Sequence, residues 1–148
     1  MVIRMKKHKS IFGIVVLALL LIIPVLPMLG AAANSVSAHF QASDTAKQIQ
    51  NSGAEIIDSY TYTGNTSGTG NHVEAQSLFV VRTSDPDALS KQLSESEKNL
   101  SVYPAGETDK HFYMFEPKKV LDIPENGENY YVVAVIQSVP FPNNIMGH

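Results

Sequence analysis

The sequence predicts an α+β fold: a mainly antiparallel sheet of about five strands with two helices, preceded by an N-terminal hydrophobic helix. Three observations support this prediction. A long apolar run follows a cationic head, several later segments alternate apolar and polar residues as half-buried strands do, and the links between these segments are short. Short links favour local hairpins, and local hairpins give antiparallel pairing.

The first segment has the pattern of a secretory signal peptide. Residues 1–9 contain four Lys or Arg and no acid, and residues 11–23 (IFGIVVLALLLII) are uncharged and apolar. Pro24 and Pro27 then interrupt the predicted helix, since each lacks a backbone donor. Small residues follow, as at a signal-peptidase site. We therefore expect residues 1–38 to be a signal peptide and residues 39–148 to be a single exported domain.

Two cleavage sites and an uncleaved anchor compete in this segment. Cleavage after Ala33 would use Ala31 and Ala33 as the small residues, whereas cleavage after Ala38, which we favour, would use Val36 and Ala38. Residues 11–29 also approach the ~20 residues that span a bilayer, so a single-pass anchor is the alternative. Either way the cationic head stays in the cytoplasm. Membrane contact is expected only through residues 11–29 of an uncleaved chain.

The exported part is acidic and free of cysteine. All 14 Asp and Glu residues follow residue 38, against seven Lys and Arg, which leaves a net charge of −7. Nucleic acid is therefore not expected as a partner, because it requires a concentrated cationic surface. Without cysteine the chain forms no disulfide and no cysteine zinc site. A lysine-rich head and a cysteine-free product favour a Gram-positive bacterium as the source.

Local patterns predict each element of the exported domain. Ser84 or Asp85 should cap a helix that begins at Pro86 and fades near Lys98. A segment that is apolar on both faces, Asn129–Val139, should lie centrally in the sheet. The other predicted elements are a helix at Ser43–Ser52 that exits through Gly53, strands at Ala54–Thr63, His72–Thr83, Leu100–Tyr103 and Lys110–Glu116, and a hairpin from Val120–Ile123 into the last strand.

Two groups of residues are candidate metal ligands. Glu107, Asp109 and His111 are spaced by two, so an extended backbone would place them on one face, where they could hold a divalent cation or act as acid and base. A solvated entry to a strand is the alternative, because Gly106 and Thr108 indicate a turn.

His39 is the second candidate for a metal site. After cleavage at Ala38 it would be the first residue, and its amine and ring nitrogen could bind copper together with a second histidine. A polar N-terminal residue without a metal is the alternative interpretation. The candidates for the second histidine are His72, His111 and His148.

The leading functional hypothesis is a small exported, non-enzymatic protein that binds another protein or a cell-envelope component. The sequence has no G-x-S-x-G and no H-E-x-x-H pattern, and no cofactor is expected. The strand tyrosines could form a carbohydrate or peptide platform, although a role in the sheet core is favoured. The alternatives are a small secreted enzyme or copper-type metal protein and a membrane-anchored accessory subunit.

Overall fold

The computed structural model describes residues 2–23, 25–65, 72–96, 99–110, 121–124 and 128–143, with residues 2–10 and 108–110 described by their backbone alone. The α+β class is confirmed. The elements in chain order are α1 (Val2–Ile22), α2 (Val25–Asn51), β1 (Glu55–Gly64), β2 (Glu74–Arg82), α3 (Pro86–Ser94), β3 (Leu100–Pro104), a 3₁₀ helix (Ala105–Lys110) and β4 (Tyr130–Ser138).

The described strands form one antiparallel sheet in the order β1-β2-β4-β3. The strands predicted at Ala54–Thr63 and His72–Thr83 pair as β1 and β2, and the predicted central position of the last strand, β4, is confirmed. Four strands are present among the described residues, against the five or so predicted. The strand predicted at Lys110–Glu116 lies outside the described residues except for Lys110, which ends the 3₁₀ helix. Residues 121–124 contain no strand, which corrects the predicted hairpin from Val120–Ile123.

The two helices α2 and α3 cover one face of the sheet. Ile49 of α2 and Leu93 of α3 are both fully buried there. The side chains of β2 and β4 alternate between the two faces, so residues two apart in each strand point into this cluster. The buried members of the cluster are Ala42, Ile49, Ala54, Phe79, Val81, Leu89, Leu93, Val133 and Val135.

The second face of the sheet is also buried. Leu121 and Ile123 pack against it, and the backbone N–H of Asp122 donates to the carboxylate of Asp58 on β1 at 2.8 Å. This bond holds the irregular segment against the sheet. The favoured role of the tyrosines is supported here, because Tyr60, Tyr103 and Tyr130 are partly buried against Leu78, Val80, Val132 and Ala134.

Helix α3 begins as its sequence predicts. The side chain of Asp85 accepts a hydrogen bond from the N–H of Ala88 at 2.9 Å, and Pro86 occupies the first helical turn. A carboxylate at this position satisfies an amide that has no acceptor within the helix. The helix ends at Ser94, earlier than the predicted end near Lys98.

Helix α2 is much longer than the predicted helix at Ser43–Ser52, which is only its C-terminal part. It starts at Val25 and runs without interruption through both predicted cleavage sites. Pro27 does not break it, because the first-turn N–H groups of a helix have no intrahelical acceptor and a proline loses nothing there. The predicted exit at Gly53 is confirmed, with a φ of 84°.

The helical region from Ile11 to Asn51 is long and apolar enough to cross a membrane. Its most apolar window of 18 residues has a mean hydropathy of 2.9, and none of that window is buried within the protein. Large apolar side chains such as Phe12 and Leu20 are more than half exposed. By length and composition, this helix could be a signal or a membrane anchor.

Candidate functional site

The most developed candidate site lies where α2 meets the residues that follow β4. The buried residues of α2 recur every three or four positions and so form one face of the helix. They include small residues close to the predicted cleavage sites. The full set is Gly30, Asn34, Ala38, Ala42, Thr45 and Ile49.

Asn34 is the central polar residue of this site. Its side chain is only 1% exposed. The Nδ2 group donates to the carbonyl oxygen of Phe141 at 3.0 Å, and the N–H of Phe141 donates back to Oδ1 at 2.9 Å. The side-chain amide of Asn34 therefore pairs with the backbone N–H and carbonyl of Phe141 in the way that a residue of a neighbouring strand would. Sequence reasoning did not identify Asn34 or Phe141 as functional residues.

Further contacts hold residues 138–142 against the rest of the domain. Gln41 Nε2 donates to the carbonyl oxygen of Ser138 at 3.0 Å. The N–H of Val73 donates to the carbonyl oxygen of Pro142 at 2.5 Å. Ala38 is 2% exposed and packs in an apolar cluster with Val73, Ala75 and Val139. Helix α2, the start of β2 and residues 138–142 are thus packed together as one unit.

A cavity of about 530 Å³ opens beside this junction. One wall comes from the end of α1 and the start of α2, and the other from residues 140–143. Its lining is predominantly apolar, and Phe141 in this wall is 51% exposed. The residues on the helix side are Ile23, Leu26, Pro27 and Gly30.

The structure places His39 in the middle of α2, with its side chain exposed. It lines a small cleft of about 100 Å³ together with Ser35, Tyr62 and other residues of β1. In the intact chain the backbone nitrogen of His39 is a helix amide rather than a free amine. The copper arrangement therefore requires cleavage after Ala38, and it stays a prediction.

The acidic pair Glu107 and Asp109 lies in the 3₁₀ helix, not on an extended strand. The extended backbone from which a shared face was expected is therefore absent at these two positions, and the cation site stays a prediction. His111, His148 and the side chain of Asp109 lie outside the described residues. Among the described residues no group of three or more His, Cys, Asp or Glu is placed to hold a metal ion.

A second polar arrangement joins β1 to β2. The rings of Tyr60 and Tyr62 stack with centroids 5.9 Å apart. The hydroxyl of Tyr62 donates to Oε1 of Gln76, its direct partner across the strands. Burial, and secondarily the neighbouring Tyr60, raises the pKa of Tyr62 above its ordinary value. This arrangement stabilises a neutral tyrosine, which suits a structural role.

Fold and site together define a class of protein: an α+β domain packed onto the second half of a helical N-terminal region, whose first half could serve as a signal or an anchor. Comparison with protein families, with characterised proteins and with solved structures finds no match to this chain.

Proposed function

We propose that this protein is a non-enzymatic binding or accessory protein, held at the outer face of a bacterial membrane by an N-terminal helix that is not cleaved. The observation that carries the proposal is the pair of hydrogen bonds between Asn34 and Phe141. It supports the anchored alternative over cleavage after Ala38, the favoured site, because the segment removed by that cut contributes Asn34 to the folded domain.

Cleavage after Ala38 would damage the domain directly. It would remove the buried Asn34 and leave the N–H and carbonyl of Phe141 without these partners. It would also take Ala38 out of its cluster with Val73 and Val139. Both losses would lower the stability of the domain, and the free energy of unfolding of a small domain is only about 5–15 kcal/mol.

The cleavage sites are also poorly presented in the folded chain. Residues 31–33 and 36–38 are helical, and Ala38 is buried. The small residues that resemble a cleavage signal have another explanation, since they allow α2 to approach the sheet closely.

The charge distribution supports an orientation with the domain outside the cell. The four cations of residues 1–9 precede the apolar run, and the part after residue 38 carries −7. Cationic flanks are retained on the cytoplasmic side of a membrane. The acidic α+β domain would then lie on the opposite side.

The surface of α2 supports a protein as the partner. Val36 and Phe40 lie one helical turn apart and are 56% and 68% exposed. With Leu29, they form an apolar stripe on the side of α2 opposite the buried face. This stripe continues the surface of the apolar helix beyond the membrane, so it suits a partner protein that is itself held at the membrane. Aromatic side chains are enriched in the buried centres of protein interfaces.

The test is to express the intact chain in a Gram-positive host and to determine its location and intact mass. We expect the protein in the membrane fraction, resistant to alkaline extraction, with the residues before Ala33 still present. The control is residues 34–148 behind an efficiently cleaved signal peptide, which keeps Asn34 and Ala38 and should leave the membrane. Recovery of a product that begins at Asn34 or His39 would overturn the proposal.

A further inference from the structure

We propose that residues 140–142 form a second membrane contact, in which Phe141 enters the outer leaflet and lipid acyl chains occupy the adjoining cavity. This inference rests on the proposed anchor and goes beyond it. It assigns the folded domain itself a lipid-binding surface, separate from the spanning helix.

The position of the cavity relative to the apolar helix is the first argument. At ~1.5 Å per residue, a helix over residues 11–29 extends roughly 28 Å, close to the ~30 Å hydrocarbon core. Ile23 and Leu26 then lie within the outer leaflet, and Gly30 lies at its boundary. Phe141 lines the same cavity as these three residues. Lipid that surrounds the helix is therefore adjacent to Phe141.

The hydrogen bonding of the segment is the second argument. Backbone groups that enter a bilayer must be satisfied within the protein. Pro140 and Pro142 have no N–H group, and the N–H of Phe141 is bonded to Asn34. The carbonyls of Phe141 and Pro142 accept from Asn34 and Val73. The segment can lose water without leaving a backbone donor unpaired.

The chemistry of the side chains is the third argument. Residues 138–143 (SVPFPN) carry no charge, and neither do the cavity residues of the helices. Entry into the interface therefore requires no charge to be desolvated. Phenylalanine is among the apolar residues that membrane-surface segments bury at the boundary between headgroups and acyl chains. Together these features match a lipid surface.

The experiment uses the absence of tryptophan from the natural sequence. The variant Phe141→Trp carries a single tryptophan, which can be excited selectively over the six tyrosines, and keeps both backbone bonds to Asn34. The full-length chain is reconstituted into vesicles of phosphatidylcholine and phosphatidylglycerol, with or without bromine on the acyl chains. We expect a blue-shifted emission that is partly quenched in brominated vesicles, because tryptophan at this position would lie at the membrane–water interface.

Two matched variants set the scale of this measurement. Phe40→Trp places the probe at another exposed aromatic position, ten residues or ~15 Å beyond Gly30 along α2, and should show aqueous emission without quenching. Leu20→Trp lies within the apolar run and should be strongly quenched. Each sample is also tested for flotation with its vesicles.

The outcomes separate the two proposals. If the chain floats with the vesicles and Phe141→Trp behaves like Phe40→Trp, the second contact is wrong and the anchor stands. If the chain fails to float, both proposals are overturned. Quenching of Phe141→Trp between the values of the two matched variants supports the contact.

Discussion

Asn34 and Phe141 lie 107 residues apart in the chain and are joined by two reciprocal hydrogen bonds of 3.0 and 2.9 Å. One partner belongs to the helix that follows the apolar run, and the other to the segment that follows the central strand. Because the bonds involve both polar groups of the amide, they fix the direction of that segment. The helix and the C-terminal part of the domain therefore form one folding unit.

Replacing Asn34 with alanine should destabilise the intact protein. The substitution leaves the N–H and the carbonyl of Phe141 without these partners, and we expect a loss of about 1–3 kcal/mol in the free energy of unfolding. Denaturant unfolding of the full chain in detergent micelles, followed by circular dichroism, measures the change. Ser35→Ala is the control, since that neighbouring side chain is exposed and bonds chiefly within its own helix. Equal stabilities of the two variants would contradict the assigned role of Asn34.

Enlarging Ala38 should also destabilise the protein. Ala38 is 2% exposed and contacts its cluster closely, so Ala38→Leu should overpack it at a cost of about 1–3 kcal/mol. The exposed neighbour provides the control, as His39→Leu adds a similar apolar side chain without entering the core. The unfolding midpoint of each full-length variant is compared with that of the natural chain. An unchanged midpoint for Ala38→Leu would show that residue 38 lies outside the folded unit.

Much of the fold could be predicted from local sequence patterns, because each of those patterns favours a single type of local structure. An aspartate followed by a proline favours the start of a helix, and Asp85 and Pro86 begin α3 in this way. The run Val132–Val135 is apolar on both faces and is central in the sheet for that reason. The start of α2 was missed since Pro27 was taken as a helix breaker, whereas within the first turn it is compatible with the helix.

The candidate site could not be predicted, because its sequence pattern is compatible with two different roles. Small residues near Ala33 and Ala38 suit a peptidase and equally suit a helix packed closely on a sheet. The distinguishing signal was the spacing of four from Gly30 through Asn34 and Ala38, which places the three on one helical face. Phe141 gave no signal of its own, since its pairing with Asn34 depends on the path of the chain after β4.

Removing the cap of α3 should produce a smaller loss than the core changes. Asp85→Ala deletes the acceptor for the N–H of Ala88, and such caps contribute about 0.5–2 kcal/mol. Asp85→Asn should recover most of the loss, because its side-chain oxygen accepts the same bond. Glu95→Ala, at the other end of the helix, serves as the control for removing an acid. If Asp85→Asn were as unstable as Asp85→Ala, charge rather than capping would explain the effect.

Tyr62 should make the stability of the domain fall at alkaline pH. Its pKa is raised by burial first and by Tyr60 second, whereas an unfolded tyrosine keeps a pKa near 10.0. Above that pH the unfolded chain loses the proton that folded Tyr62 retains, so unfolding becomes more favourable. The contribution is complete below pH 10.0 and is lost as the pH rises through the raised pKa. Denaturant unfolding at a series of alkaline pH values measures this slope.

Two variants distinguish Tyr62 from the other five tyrosines in this measurement. Tyr62→Phe leaves Oε1 of Gln76 without this donor and lowers stability at neutral pH, but it removes the contribution of Tyr62 to the alkaline slope. Tyr60→Phe should keep most of that slope, since burial is the larger cause of the raised pKa. Tyrosinate absorbance of the folded protein should show the same order, with the late-ionising component absent only from Tyr62→Phe. An alkaline slope that is identical in Tyr62→Phe and the natural chain would assign the effect to another group.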